Sequence, residues 1–185
     1  IAAFDDHTRL EKELDMLQAI SIRLLFFNDP EYPRRLSALT DAPPLLYYSG
    51  NADLNARRIV AVIGTRYPSS YGRQLTRDLV GRLASLGVLV ISGLAIGVDA
   101  AAHEAALENN LCTVGVLGQG LRTTLYPQEN IGLSRKMVKQ GGLLTFFDCD
   151  EKAAPYNFPA RNRLVAGLCD ALVVVQTKRD GGSML

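Results

Sequence analysis

Cysteine, histidine and surplus charge are all scarce in this 185-residue chain, and each scarcity closes off a class of function. The three cysteines, Cys112, Cys149 and Cys169, are odd in number and lack metal-type spacing, so they read as reduced thiols of a cytosolic protein. Only two histidines occur, His7 and His103. His103-Glu104 begins a helical zinc-protease pattern, but Leu107 stands where the second histidine belongs, which leaves no metal ligand set and makes His103 a packing or capping residue. A net charge of +1 excludes a polycation, so any polyanion must be met by a local patch. No apolar run approaches the ~18 residues of a membrane span, and no signal-peptide layout is present.

Catalytic equipment is missing too. Ser92 has neither the flanking glycines of a nucleophile elbow nor an evident histidine to activate it. No Gly-x-x-x-x-Gly-Lys-Ser/Thr phosphate loop occurs, and Gly118-Gln-Gly120 lacks the third glycine of a dinucleotide fingerprint. Neither a bound cofactor nor an enzyme is implied.

What is present is a regular alternation. Nearly half of the residues are hydrophobic, enough for one full core. The spacing of Leu10, Leu14 and Leu17 predicts a helix over Leu10–Ile20, followed by an extended piece at Arg23–Phe27, a turn at Asn28–Pro33 and a short strand ending at Gly50. From Arg58 onward, apolar runs at Val60–Ile63, Val88–Ile91, Thr113–Leu117, Leu143–Phe146 and Ala171–Val175 read as strands. Helical patterns at Gly72–Leu86, Ala100–Asn110, Pro127–Gln140 and Arg161–Cys169 separate them, with Gly87 as a left-handed cap and Asp99 as an N-cap. Strands alternating with helices predict an α/β fold: a doubly wound, mostly parallel sheet with both faces covered. Residues 1–27 form a small helical and extended segment, and 28–185 form the sheet domain. The chain starts at Ile1 and stops at Gly181-Gly-Ser-Met-Leu185, where another crossover helix is expected, so both ends read as truncated.

Three small-residue loops follow three successive strands. They carry Gly64, Thr65, Arg66, Ser69 and Ser70; then Ser92, Gly93, Leu94, Ala95 and Gly97; then Gly118, Gly120 and Arg122. Loops at the carboxyl ends of parallel strands converge on one crevice, where glycines let backbone N–H groups approach phosphate. Farther on, Asn157-Phe-Pro-Ala-Arg-Asn-Arg163 places Arg161, Asn162 and Arg163 at the expected start of a helix, where positive charge opposes the macrodipole and an anionic partner would compensate it. Phe158 beside them adds a stacking face, the recurring equipment for unpaired bases, so single strands are expected to bind in preference to duplex and without marked sequence specificity. A nucleotide sensor, or an enzyme acting on nucleoside monophosphates, is the alternative occupant of such a crevice.

The series Val62-Ile-Gly-Thr-Arg66, Ser70-Tyr-Gly72, Ser92-Gly-Leu-Ala-Ile-Gly-Val-Asp99, Ala102-His103, Gly118-Gln-Gly-Leu121, Tyr126-Pro-Gln-Glu-Asn130 and Phe158-Pro-Ala-Arg-Asn-Arg163 resembles the DNA-processing family called DprA or Smf. The resemblance runs from about Asn28 to Leu185. It implies a Rossmann-like domain after an N-terminal helical one, and a cytoplasmic protein that binds single-stranded DNA during natural transformation and helps load the recombinase RecA. It also implies a homodimer for the intact protein. Carried over by position, the DNA pocket falls on Gly64, Thr65 and Arg66, on Ser92–Gly97, and on Phe158, Arg161, Asn162 and Arg163. Two positions depart from the family pattern: Thr145-Phe146 replaces a Ser-Glu pair, and Gln176 replaces a glutamate.

Overall fold

A computed structural model describes residues 7–177. Its strands are β1 (Arg23–Phe26), β2 (Leu45–Gly50), β3 (Ile59–Ile63), β4 (Leu89–Ser92), β5 (Thr113–Val116), β6 (Gly141–Thr145) and β7 (Ala171–Val174). Its helices are α1 (His7–Ala19), α2 (Arg34–Ser37), α3 (Ser70–Leu83), α4 (Val98–Glu108), α5 (Ile131–Lys139) and α6 (Asn157–Leu168). The strands form one sheet in the order β1-β2-β6-β5-β4-β3-β7. Strands β6, β5, β4, β3 and β7 are parallel, while β1 and β2 add an antiparallel edge. This is the expected Rossmann-like α/β architecture. Among the described residues, no helix is long and apolar enough to cross a membrane.

Side-chain alternation along β3 shows how both faces are covered. Ile59 and Ala61 join Leu164, Val165 and Leu168 of α6 in one core, whereas Val62 joins Val80 of α3 and Ala102 and Ala105 of α4 in another. A third cluster, Leu94, Leu117 and Met137, sits under α5. The chain thus lays α3, α4 and α5 on one face and crosses to the other after β6.

Four expectations are corrected. The strand at Ala171 forms where the apolar run predicts it, but it is not buried: Leu172 and Val174 are 45% and 37% exposed, because β7 is an edge strand with β3 as its single described neighbour. Helix α6 starts four residues earlier than predicted. Pro159 fits in its first turn, where a missing N–H costs no intrahelical bond. Asp99 is not the N-cap of α4; that position is Gly97, and Asp99 lies inside the first turn with its carboxylate turned back onto the preceding loop. Strand β1 lies within the segment 1–27 that was set apart from the sheet domain, yet it is hydrogen-bonded into the same sheet. The expected break at Gly181–Leu185 lies outside the described residues.

A buried polar network joins the carboxyl ends of the strands. Asp99 accepts the N–H groups of Gly93 (3.1 Å) and Ala95 (3.3 Å). Arg161, reaching in from α6, donates through Nη1 to the carbonyls of Gly93 and Val116 (2.9 Å for the latter), so one guanidinium ties α6 to the ends of β4 and β5. Burial pushes the Asp99 carboxyl up from its ordinary value and the Arg161 guanidinium down, and each charge is the main counterweight to the other's desolvation. Behind them lies His103, fully buried. Thr113 commits its single hydroxyl proton to the Val90 carbonyl (3.0 Å), so it must accept from His103 Nδ1 (2.7 Å). The imidazole is therefore the Nδ1–H tautomer, with Nε2 buried and unpartnered.

Two stability predictions follow from this network. Asp99→Asn keeps an acceptor oxygen but removes the counter-charge of a buried guanidinium, and should lower unfolding free energy by about 3 kcal/mol in urea titration. Burial, with Arg161 nearby, lowers the His103 pKa from 6.5 to about 3. The unfolded chain then binds more protons throughout that window, and stability falls as pH falls. From about pH 7 to about pH 5 the His103 share of this loss is about 2 kcal/mol, and His103→Gln should abolish that share when the two proteins are melted side by side.

Candidate nucleic-acid interface

The loops after β3, β4 and β5 meet as the alternation predicts. Val98 N–H donates to the Thr65 carbonyl (3.2 Å), which locks the loop after β3 to the start of α4. Gly97 permits this contact: its φ is +92°, and a Cβ there would collide with the carbonyl oxygens of Thr65 and Arg66. Leu94 also takes a left-handed φ of +56°, strained for a branched side chain, but its side chain is fully buried against Leu117 and Met137. Its carbonyl accepts from Asn130 Nδ2 (2.9 Å), which brings the segment before α5 over the same crevice.

Between these loops lies a cavity of about 200 Å³. Seven of the expected residues line it: Arg66, Gly93, Ala95, Ile96, Gly118, Phe158 and Arg161. Phe158 is its centrepiece. The ring lies so close over Gly118 that a Cβ there would sit 2.9 Å from it. The Arg66 and Arg161 guanidinium carbons stand 5.8 and 5.7 Å from its centroid, and the Tyr126 ring lies 5.9 Å away. The two cations have different roles. Arg66 is exposed, with its charge available to a ligand, whereas Arg161 is buried and spends Nη1 on backbone carbonyls and Nε on Asn162 Oδ1 (3.0 Å).

The other predicted residues are placed differently. Gly64 and Thr65 form the backbone behind Arg66, with the Thr65 N–H held by the Gln176 carbonyl (2.7 Å). Ser92 is buried and donates to the Val62 carbonyl (2.6 Å). Leu94 faces the core, and Gly97 is a buried spacer. Asn162 acts as the acceptor for Arg161. Arg163, largely exposed, pairs with Asp41 instead. Arg122 is drawn away into ion pairs with Asp150 and with Glu13 of α1 (3.1 Å), so it fastens α1 to the sheet domain. Ser69 caps α3 by accepting from Gly72 N–H (3.1 Å), and it donates to the amide oxygen of Gln176 through both N–H (3.0 Å) and hydroxyl (3.2 Å). That helix start is therefore already occupied by a neutral oxygen.

Tyr67, Leu117, Tyr126, Pro127 and Glu129 line the cavity outside the expected pocket residues. An aromatic next to a basic residue was the available signal for Tyr67, which directly follows Arg66. Tyr126 and Glu129 stand in the family-like Tyr126–Asn130 motif, but nothing local ties that motif to the crevice; tertiary bonds bring it there, with the Tyr126 N–H donating to Gln119 Oε1 (2.7 Å) and Asn130 anchored on Leu94.

Known proteins share this fold. The chain is 38% identical over 162 residues to protein Smf of a Synechocystis strain, covering 85% of this chain and 40% of that protein. It is 37% identical over 180 residues to the DNA processing protein DprA of Streptococcus pneumoniae, covering 97% of this chain and 61% of the relative. The X-ray structure of DprA from Streptococcus pneumoniae superimposes with a TM-score of 0.86 at 36% identity, over 97% of this chain and 61% of that one. DprA from Helicobacter pylori, whose structure was described for its single-stranded DNA binding mode, gives 0.79 at 33% identity over 88% of this chain and 73% of that one. The chain spans about half the length of these curated relatives. The model of the family described as DNA recombination-mediator protein A matches residues 23–185, and the chain belongs to that family.

Proposed function

We propose that this chain binds single-stranded DNA in the crevice at the carboxyl ends of β3, β4 and β5. It acts by binding rather than by bond-making, and as part of a cytoplasmic recombination mediator it helps bring RecA onto the strand. The observation that carries the reading is the half-buried Phe158 ring, laid on Gly118 and flanked by the Arg66 and Arg161 guanidinium groups. A ring beside an exposed cation offers stacking to an unpaired base and charge to its phosphate. Duplex DNA keeps its bases stacked internally and cannot use the ring without melting. The single-strand binding described for the Helicobacter pylori relative supports the same reading. The small volume of the cavity also suits one mononucleotide, which is the competing occupant.

Fluorescence anisotropy with labelled single strands, duplex and mononucleotide tests this directly. The single strand should bind tightest, with affinity falling as salt rises. Arg66→Ala should weaken binding and flatten the logarithmic salt slope by about 0.7, the value for one phosphate on a single strand. Phe158→Ala should cost about 1–3 kcal/mol of single-strand affinity while leaving that slope in place. A mutant Phe158→Ala protein that still separates single strand from duplex as well as the parent would show that the ring is only packing.

A further inference from the structure

Stacking and phosphate contacts are indifferent to base identity, but one wall of the cavity is not. Glu129 lines it, exposed, in the same enclosure as Arg66, Tyr126 and Phe158. No hydrogen bond or ion pair engages its carboxylate among the described residues. Its backbone is held in place, because the next residue, Asn130, is buried and bonded to the Leu94 carbonyl, and the Asn130 N–H donates to Pro127 (3.2 Å). An acid just before α5 complements that helix's macrodipole, yet the dipole does not require the acid to stand in the wall of an aromatic cavity. A carboxylate is also the wrong group for a site that accepts only phosphate.

We infer that Glu129 selects the base that enters the cavity and favours guanine. The inference rests on the single-strand reading above. A carboxylate only accepts hydrogen bonds and prefers two parallel donors. Guanine presents N1–H and the N2 amino group side by side on its Watson–Crick edge, the edge that single-strand readers use. Thymine presents one N3–H between two carbonyl oxygens, which the carboxylate repels. Cytosine and adenine pair one amino donor with an acceptor and fall between. Guanine could arrive on a strand or as a free nucleotide, and the chemistry is the same for both.

The test uses two labelled oligothymidylates of equal length, one carrying isolated guanines too far apart to form a quadruplex. The 185-residue chain should bind the guanine-bearing strand at least about fivefold tighter, the low end for a bidentate contact to a base. Glu129→Ala should erase that preference, and Glu129→Gln should reduce it. Competition with 5′-GMP and 5′-TMP distinguishes the sources: displacement by GMP alone makes the free nucleotide a ligand too, and displacement by neither assigns recognition to the strand. Equal affinity of the parent chain for both strands, or a preference that survives in Glu129→Ala, overturns the inference while leaving single-strand binding intact. Failure to bind either strand overturns the single-strand reading and the inference with it.

Discussion

The crevice depends on one residue, Gly93, held between two opposite charges. Gly93 gives its N–H to the Asp99 carboxylate and its carbonyl to the Arg161 guanidinium, and the same guanidinium reaches Val116 at the end of β5. Taking either charge out of water alone would be prohibitive, and together they remain costly, since burial displaces both titrations toward neutrality. What the arrangement supplies is position. It joins α6, on one face of the sheet, to the loop before α4, on the other. Any side chain at residue 93 would break it, because a Cβ would sit 2.8 Å from Asp99 Oδ2 and against the guanidinium.

Phe158 inherits its place from this pair. One turn of α6 separates it from Arg161, so anchoring the arginine sets the ring over Gly118 and beside Arg66. The cavity therefore has a rigid floor, built from buried charge and glycine, and a mouth built from exposed Arg66, Tyr67, Tyr126 and Glu129. Precision belongs to the floor and contact chemistry to the mouth. Arg161 positions the ring through its bonds to the Gly93 and Val116 carbonyls.

Much of the fold was legible because it rests on local pattern. Continuous apolar runs separated by helical periodicity located β3, β4, β5, β6 and β7, and left-handed Gly87 marked the end of the first crossover helix segment. Burial of β7 was misjudged because an apolar run states what a strand could bury, not which neighbours it finds. Half of the site was legible through Arg66, the glycine loops and Phe158. Arg122 and Arg163 stand outside the cavity, and a basic residue near a loop looks the same in sequence whether it lines a cavity or meets a carboxylate. Glu13, Asp150 and Asp41 claimed them at ranges that periodicity does not register.

By itself, the sequence determined the alternation of strand, loop and helix, and with it a crevice lined by small residues at the carboxyl ends of parallel strands. Backbone sterics and side-chain period act over a few residues, so they are written locally. Only the tertiary structure decided which cations stay available. Arg161 and Arg66 sit in similar loop-and-helix contexts, yet one is buried among carbonyls and the other faces solvent. It also decided that Glu129, distant in sequence from both arginines, shares their cavity, because long-range hydrogen bonds rather than chain proximity bring the loop before α5 across the sheet.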